Sequence, residues 1–233
     1  MRRAYGCQDG GGGAAGPLLS FTTNFLSPPA PENPLSEGGI WLPQISGQSP
    51  IATLANLAYN TQPGGTGLNG DGLAFFAPAF PNDYIIEQIV ARSPTYADPS
   101  LIELENLARF QLIGPGGVFP AWYESNWEHS GQYAQLILIS NNGFTYLEGP
   151  SNPGPVAGIQ NGDVLRLAVI GNLITASHAP AATPTTFTIY AQVTDSTLTT
   201  GGPGFGGYRF DPPSPTSPPD GFGISRFSIQ GFP

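Results

Sequence analysis

The most chemically loaded stretch of the chain is residues 119–133, where Trp122, Tyr123, Trp127, His129 and Tyr133 interleave with Glu124, Asn126 and Glu128. Aromatic faces stack on the polarised C–H edges of sugar rings, and neighbouring carboxylates and amides accept hydrogen bonds from hydroxyls. Trp122, Tyr123, Glu124, Asn126, Trp127 and His129 are therefore the candidate ligand-binding set, read as lying on a loop. The competing reading is that the same rings cap an apolar core or anchor a neighbouring subunit, where Trp and Tyr are favoured.

Glu103 and Glu105 form the second candidate. Residues two apart in a strand point to one side, with Cα atoms roughly 6.5 to 7 Å apart. Retaining glycosidases hold their two carboxyl groups about 5 to 5.5 Å apart, one as nucleophile and one as acid/base, so the spacing permits that chemistry. Its alternative is a solvated strand face, and no catalytic residue is assigned.

Other chemistries find little to work with. His129 and His178 are the only histidines and have no His or Cys at ligand spacing, while the single cysteine, Cys7, excludes multi-cysteine zinc sites and an internal disulfide framework. No Gly-x-Ser-x-Gly nucleophile turn is present. Gly10 to Gly13 lack the Gly-Lys-Ser/Thr ending of a phosphate cradle. Asn69-Gly70-Asp71-Gly72 and Asn82-Asp83 could offer oxygens to calcium, but Asx-Gly pairs are more commonly turns. The expectation is no cofactor, with calcium as the one alternative.

The elements that must position these residues read as strands. Apolar runs occur at 18–25, 39–42, 51–59, 73–76, 84–92, 101–113, 133–140, 144–147, 164–170, 173–177, 187–193 and 223–229, separated by Gly, Pro and Asn clusters. Only 101–113 also fits a helical spacing, through Leu101, Leu104, Leu107 and Ala108. Asn141-Asn142-Gly143, Asn161-Gly162-Asp163 and Gly171-Asn172 carry the positive-φ chemistry of hairpin turns. An all-β sandwich over residues 18–233 follows, preceded by a Gly-rich arm at 1–17 without hydrophobic pattern.

Composition narrows the partners. The 233-residue chain has 32 Gly and 26 Pro, a net charge of −9, and seven basic residues that are all Arg, so it has no basic stripe for nucleic acid. Only 10% of residues are charged, fewer than a free surface usually carries, which suggests that other subunits cover part of it in a homo-oligomer or larger assembly. Met1-Arg2-Arg3 is not followed by the apolar run of a signal peptide, and no stretch is long enough to span a membrane as a helix.

Three segments together resemble the concanavalin A-like lectin and glucanase superfamily, in its laminin-G-like branch. Residues 32–41 (ENPLSEGGIW) resemble the opening loop of such domains. Residues 162–176 (GDVLRLAVIGNLITA) are similar to their paired strands, and 193–206 (VTDSTLTTGGPGFG) to the approach to the last strand. The resemblance covers most of 18–231 and implies a two-sheet antiparallel jelly-roll sandwich. It says less about function, because the fold hosts lectins, hydrolases and structural modules. Laminarinases of this superfamily resemble E-x-D-x-x-E, and Asn106, Leu107 and Ala108 do not continue that pattern after Glu103 and Glu105. Residues 119–133 are longer than the corresponding loop, and 178–187 and 211–219 read as insertions. Domains of this kind also occur in bacteriophage virions. The leading expectation is a non-catalytic virion surface component, decoration or appendage, held through its arm and its uncharged surface. A carbohydrate-binding adhesion module is the alternative, and a glycanase the third. The expected location is the virion surface or the extracellular space.

Overall fold

The computed structural model describes residues 20–25, 35–37, 40–42, 49–54, 57–60, 71–92, 102–113, 119–128, 133–140, 143–149, 158–209 and 222–232. The expected arm at 1–17 and the insertion at 211–219 lie outside them. Fourteen strands make up the described regular structure: β1 (Ser20–Asn24), β2 (Ser49–Leu54), β3 (Leu57–Asn60), β4 (Asp71–Phe75), β5 (Asp83–Arg92), β6 (Ile102–Ile113), β7 (Phe119–Glu128), β8 (Ala134–Ser140), β9 (Gly143–Glu148), β10 (Val164–Ile170), β11 (Leu173–Ala179), β12 (Thr188–Thr194), β13 (Gly202–Arg209) and β14 (Phe222–Phe232).

They form the expected all-β sandwich. One sheet runs β1-β14-β5-β10-β11-β12 and the other β4-β13-β6-β7-β8-β9, with antiparallel pairing within each. The β2–β3 hairpin joins them. Its β3 pairs with β14 in the first sheet, and its β2 pairs in parallel with β4 in the second, the one departure from antiparallel order among the described strands.

Several sequence expectations need correction. Segment 51–59 is two strands, β2 and β3, rather than one. Of segment 39–42, the described residues 40–42 form no strand and contribute an isolated bridge from Trp41 to Phe76. The Gly-rich segment 202–209, which was not expected as a strand, is β13. Segment 101–113, ambiguous by spacing, is the strand β6; a bulge between Ala108 and Gln111 on the β7 side places Arg109 at φ 55°. Residues 119–128, read as a loop, form the central strand β7.

Alternation along β5 sends Tyr84, Ile86, Gln88 and Val90 inward, as expected for a sheet with one face on the core. At the middle of that core stands Trp41, held by close approach rather than by a strand. Its ring meets Phe205 at 5.0 Å and Phe227 at 5.4 Å between centroids, both edge-on, while its indole N–H donates to Glu37 Oε2 at 2.8 Å. Burying one such ring removes about 150 to 250 Å² from water, about 4 to 6 kcal/mol before ordering costs. Leu35, Ile40 and Trp41 thus work as a plug between the sheets.

Arg109 fastens one end of the sandwich. Its buried guanidinium donates to the carbonyls of Leu198 (2.8 Å), Gly171 and Asn82 (3.5 Å), and lies 3.6 Å from the Asp83 carboxylate. Its backbone N–H donates to the Tyr84 hydroxyl at 2.5 Å. One side chain therefore ties the β6 bulge to the start of β5, the β10–β11 turn and the 198 loop.

Candidate functional site

β7 is buried on both faces. Ala121, Tyr123, Ser125 and Trp127 point between the sheets, and Trp122, Glu124, Asn126 and Glu128 point to the outer face of the second sheet. The antiparallel register sets Glu103 of β6 opposite Glu128, Glu105 opposite Asn126, and Leu107 opposite Glu124. Alternation therefore gathers four glutamates and one asparagine on one face of two adjacent strands.

Burial governs their protonation. Glu124 accepts from Trp122 Nε1 at 3.1 Å on one carboxyl oxygen and from Asn126 Nδ2 at 3.3 Å on the other. Both bonds favour the carboxylate, yet loss of solvent outweighs them and pushes Glu124 up to about 7. Glu103 is pushed up to about 8, first by burial and then by repulsion from Glu124 and Glu128, against the lowering effect of a hydrogen bond with Tyr133. Near neutral pH Glu103 and Glu124 therefore retain protons in part, which reduces the repulsion expected of like charges on adjacent strands. β13 makes the room: a Cβ on Gly206 would lie 2.5 Å from Glu105 Oε2 and 2.6 Å from Leu73 Cδ2.

The predicted ligand set is divided by this geometry. Glu124 and Asn126 stay together and are joined by Glu103, Glu105 and Glu128. Trp122 shares their face but is spent on packing, with its ring 5.7 Å from Phe75 and 6.4 Å from Phe110. Tyr123 and Trp127 point the other way. The Tyr123 hydroxyl donates to Asp195 Oδ1 and accepts from Leu198 N at 3.0 Å, pinning the turn that follows β12. Burial and the Asp195 bond push Tyr123 up to about 12; at Asp195 burial acts in the opposite sense, but hydrogen bonds from Tyr123 and Thr197 hold it below the ordinary carboxylate range. Trp127 packs on His178 at 4.6 Å and edge-on to Tyr190 at 4.7 Å. His129 lies outside the described residues.

Glu103 and Glu105 share a face as the spacing required, but Glu105 is fully enclosed rather than solvated. Sequence reasoning named Glu128 beside Glu124 and Asn126 but did not join these to Glu103 and Glu105, and it passed over Gly206. The available signal was parity, since Glu124, Asn126 and Glu128 repeat every second residue once 119–128 is read as a strand. Of the calcium candidates, Asn69 and Gly70 lie outside the described residues. Asp83 and the Asn82 carbonyl are engaged by the Arg109 guanidinium, and Asp83 also accepts from Gly171 N at 2.9 Å. Among the described residues no group of three or more His, Cys, Asp or Glu side chains is placed to hold a metal ion.

Chemically, the cluster is a store of protons and hydrogen-bond acceptors. Hydrolysis of a glycoside would require a carboxyl group in contact with the leaving oxygen and a second one against the sugar carbon. Glu124 has both oxygens committed within the chain, and Glu105 and Glu128 have no exposed surface.

No protein-family model matches the chain, and no curated protein matches it in sequence. Solved structures do match in fold. The carbohydrate-binding module CBM66 from Bacillus subtilis superposes with a TM-score of 0.50 at 9% identity, covering 85% of this chain and 96% of that one. The CBM2 module of the evolved Dit of Lactobacillus casei BL23 phage J-1 gives a TM-score of 0.50 at 11% identity, covering 94% of this chain and 98% of that module. The chain has a concanavalin A-like fold, the sandwich of lectins and carbohydrate-binding modules.

Proposed function

We propose that this chain is a non-catalytic carbohydrate-binding protein displayed on the surface of a bacteriophage particle, as a decoration or appendage component. The observation that carries the reading is the enclosure of three of the four carboxylates: Glu105, Glu124 and Glu128 are withdrawn from solvent, Glu103 beside them is half-buried, and Glu124 is tied to Trp122 and Asn126. The fold remains that of binding modules, and it is shared from end to end with a module of a phage Dit. The small charged fraction and the Gly-rich residues 1–17 support attachment to other subunits, with the arm as tether and copies of the chain as neighbours. The alternative setting is a cell-surface or secreted adhesion module with the same chemistry.

Two measurements test the reading. The purified protein is applied to immobilised neutral and acidic polysaccharides while released reducing ends are counted; retention without release is expected. Host-produced particles are then analysed for the chain with and without residues 1–17, and the truncated form is expected to fold but to be missing from particles. Reducing ends that disappear in Glu103→Gln would restore the glycanase reading. Absence of the full chain from particles would leave the adhesion module.

A further inference from the structure

The rings first suspected of stacking on sugar are buried, but two others, on the outer face that carries Trp122, are not. Phe144 and Tyr146 of β9 are 70% and 46% exposed, unusual for large aromatic side chains. They stand opposite Ile139 and Ile137 of β8, which belong with Trp122 to the buried apolar group on the outer face. Both rings therefore project to that outer face, two residues apart, with Cα atoms roughly 6.5 to 7 Å from each other.

Tyr146 is held in place. The Tyr146 hydroxyl donates to the Gly149 carbonyl. Gly149 sits at φ +112°, where a Cβ would lie 2.6 Å from the Ala134 carbonyl oxygen, so the turn that positions this acceptor depends on glycine. A ring fixed before binding loses little freedom on contact, the condition for a preformed stacking surface. Gln135, half-buried and two residues before Ile137 on β8, lies opposite Asn126 of β7 and so on the same face of the sheet.

We infer that Phe144 and Tyr146 form a stacking platform for the apolar faces of a neutral hexose polymer. This inference deepens the carbohydrate-binding reading above and rests on it. Charge sets the ligand class: the protein carries −9 and exposes Glu148 in the same strand, which opposes anionic glycans. Area argues against a second copy as the occupant. The exposed parts of the two rings amount to roughly 170 to 290 Å², whereas a stable dimer buries about 800 Å² on each partner.

Affinity electrophoresis of the full chain through gels containing laminarin, yeast mannan or hydroxyethylcellulose, with alginate as the anionic control, tests the platform. The native protein is expected to be retarded by at least one neutral polymer and not by alginate. Phe144→Ala and Tyr146→Ala are each expected to weaken that retardation about tenfold, and Tyr146→Phe, which keeps the ring, by no more than about threefold. Thermal melts check that the variants are folded. Retardation unchanged in both alanine variants overturns the platform and leaves carbohydrate binding intact. Passage of the native protein through every gel overturns the carbohydrate reading itself. Loss of a dimer in Phe144→Ala by sedimentation, without any retardation of the native chain, reassigns the rings to self-association.

Discussion

Trp122 and Glu124 lie two residues apart on the same face of β7, and the indole Nε1 of the first donates to Oε2 of the second at 3.1 Å. The pair joins the apolar half of the outer face, where Trp122 meets Phe75, to the carboxyl half. Replacing Trp122 with Phe keeps much of the packing but removes the donor. A hydrogen bond to a charged group contributes about 1.5 to 3 kcal/mol, so urea denaturation at pH 8 is expected to show a loss of that order, with a smaller loss at pH 5, where Glu124 is protonated.

Stability should fall as pH rises. Glu103 and Glu124 have folded-state values of about 8 and about 7 against an ordinary 4.5. The folded state therefore prefers their protonated forms, and the contribution is complete below about pH 4.5 and is lost as pH climbs through 7 and 8. Thermal midpoints between pH 5 and pH 9 are expected to decline, and the Glu103→Gln, Glu124→Gln double variant to flatten that decline. An equally steep decline in the double variant would place the titrating groups elsewhere.

Arg109→Met should be among the most damaging single substitutions in the described structure. It leaves the Asp83 carboxylate without its buried cation and the carbonyls of Leu198 and Gly171 without a donor. Asp83 is itself part-exposed and keeps its bond from Gly171 N, so the cost comes mainly from the carbonyls left unpaired, about 1 to 3 kcal/mol each, and equilibrium denaturation is expected to report a loss of at least that order.

Two glycines should respond differently to alanine. Gly171 has φ +56° and nothing within 4 Å of a built Cβ, so Gly171→Ala costs only the left-handed backbone, about 1 to 2 kcal/mol. Gly206→Ala would meet Glu105 Oε2, Leu73 Cδ2 and the Gly72 carbonyl at 2.5, 2.6 and 2.8 Å. The carbonyl cannot swing aside, and overpacking of this kind costs about 1 to 3 kcal/mol or more. The denaturation midpoint of Gly206→Ala is expected to shift further, and to rise again when Glu105 is shortened to Ala in the same chain.

The hairpins were the most legible part of the sequence. Asn161-Gly162 and Gly171-Asn172 bracket β10 as their φ preferences require, with Gly162 at +85°. β7 was not legible because it is buried on both faces, so the alternation that marks a half-solvated strand is absent, and its Trp, Glu and Asn content resembles a binding loop. β13 was hidden by its glycines, which ordinarily weaken strands; here they admit the side chains of Glu105 and Phe75 from neighbouring strands. Glu103 and Glu105 were correctly placed on one side by period, but their burial depends on the opposing strand. Phe144 and Tyr146 were invisible as a surface feature, since alternating aromatics in a short strand read as a core face until the strand is found at the end of its sheet.

The β2–β3 hairpin gives the molecule a spine. Through it, hydrogen bonding passes without a break from β12 at one end of the path to β9 at the other, while β12 lies over β8 and β9 across the interior. The cross-section is a clamshell, bound by backbone along one flank, with no strand pairing among the described residues along the opposite lip. Pulling or thermal agitation should part the lip before the spine, and the two rings of β9 sit on the rim of the shell that would open first.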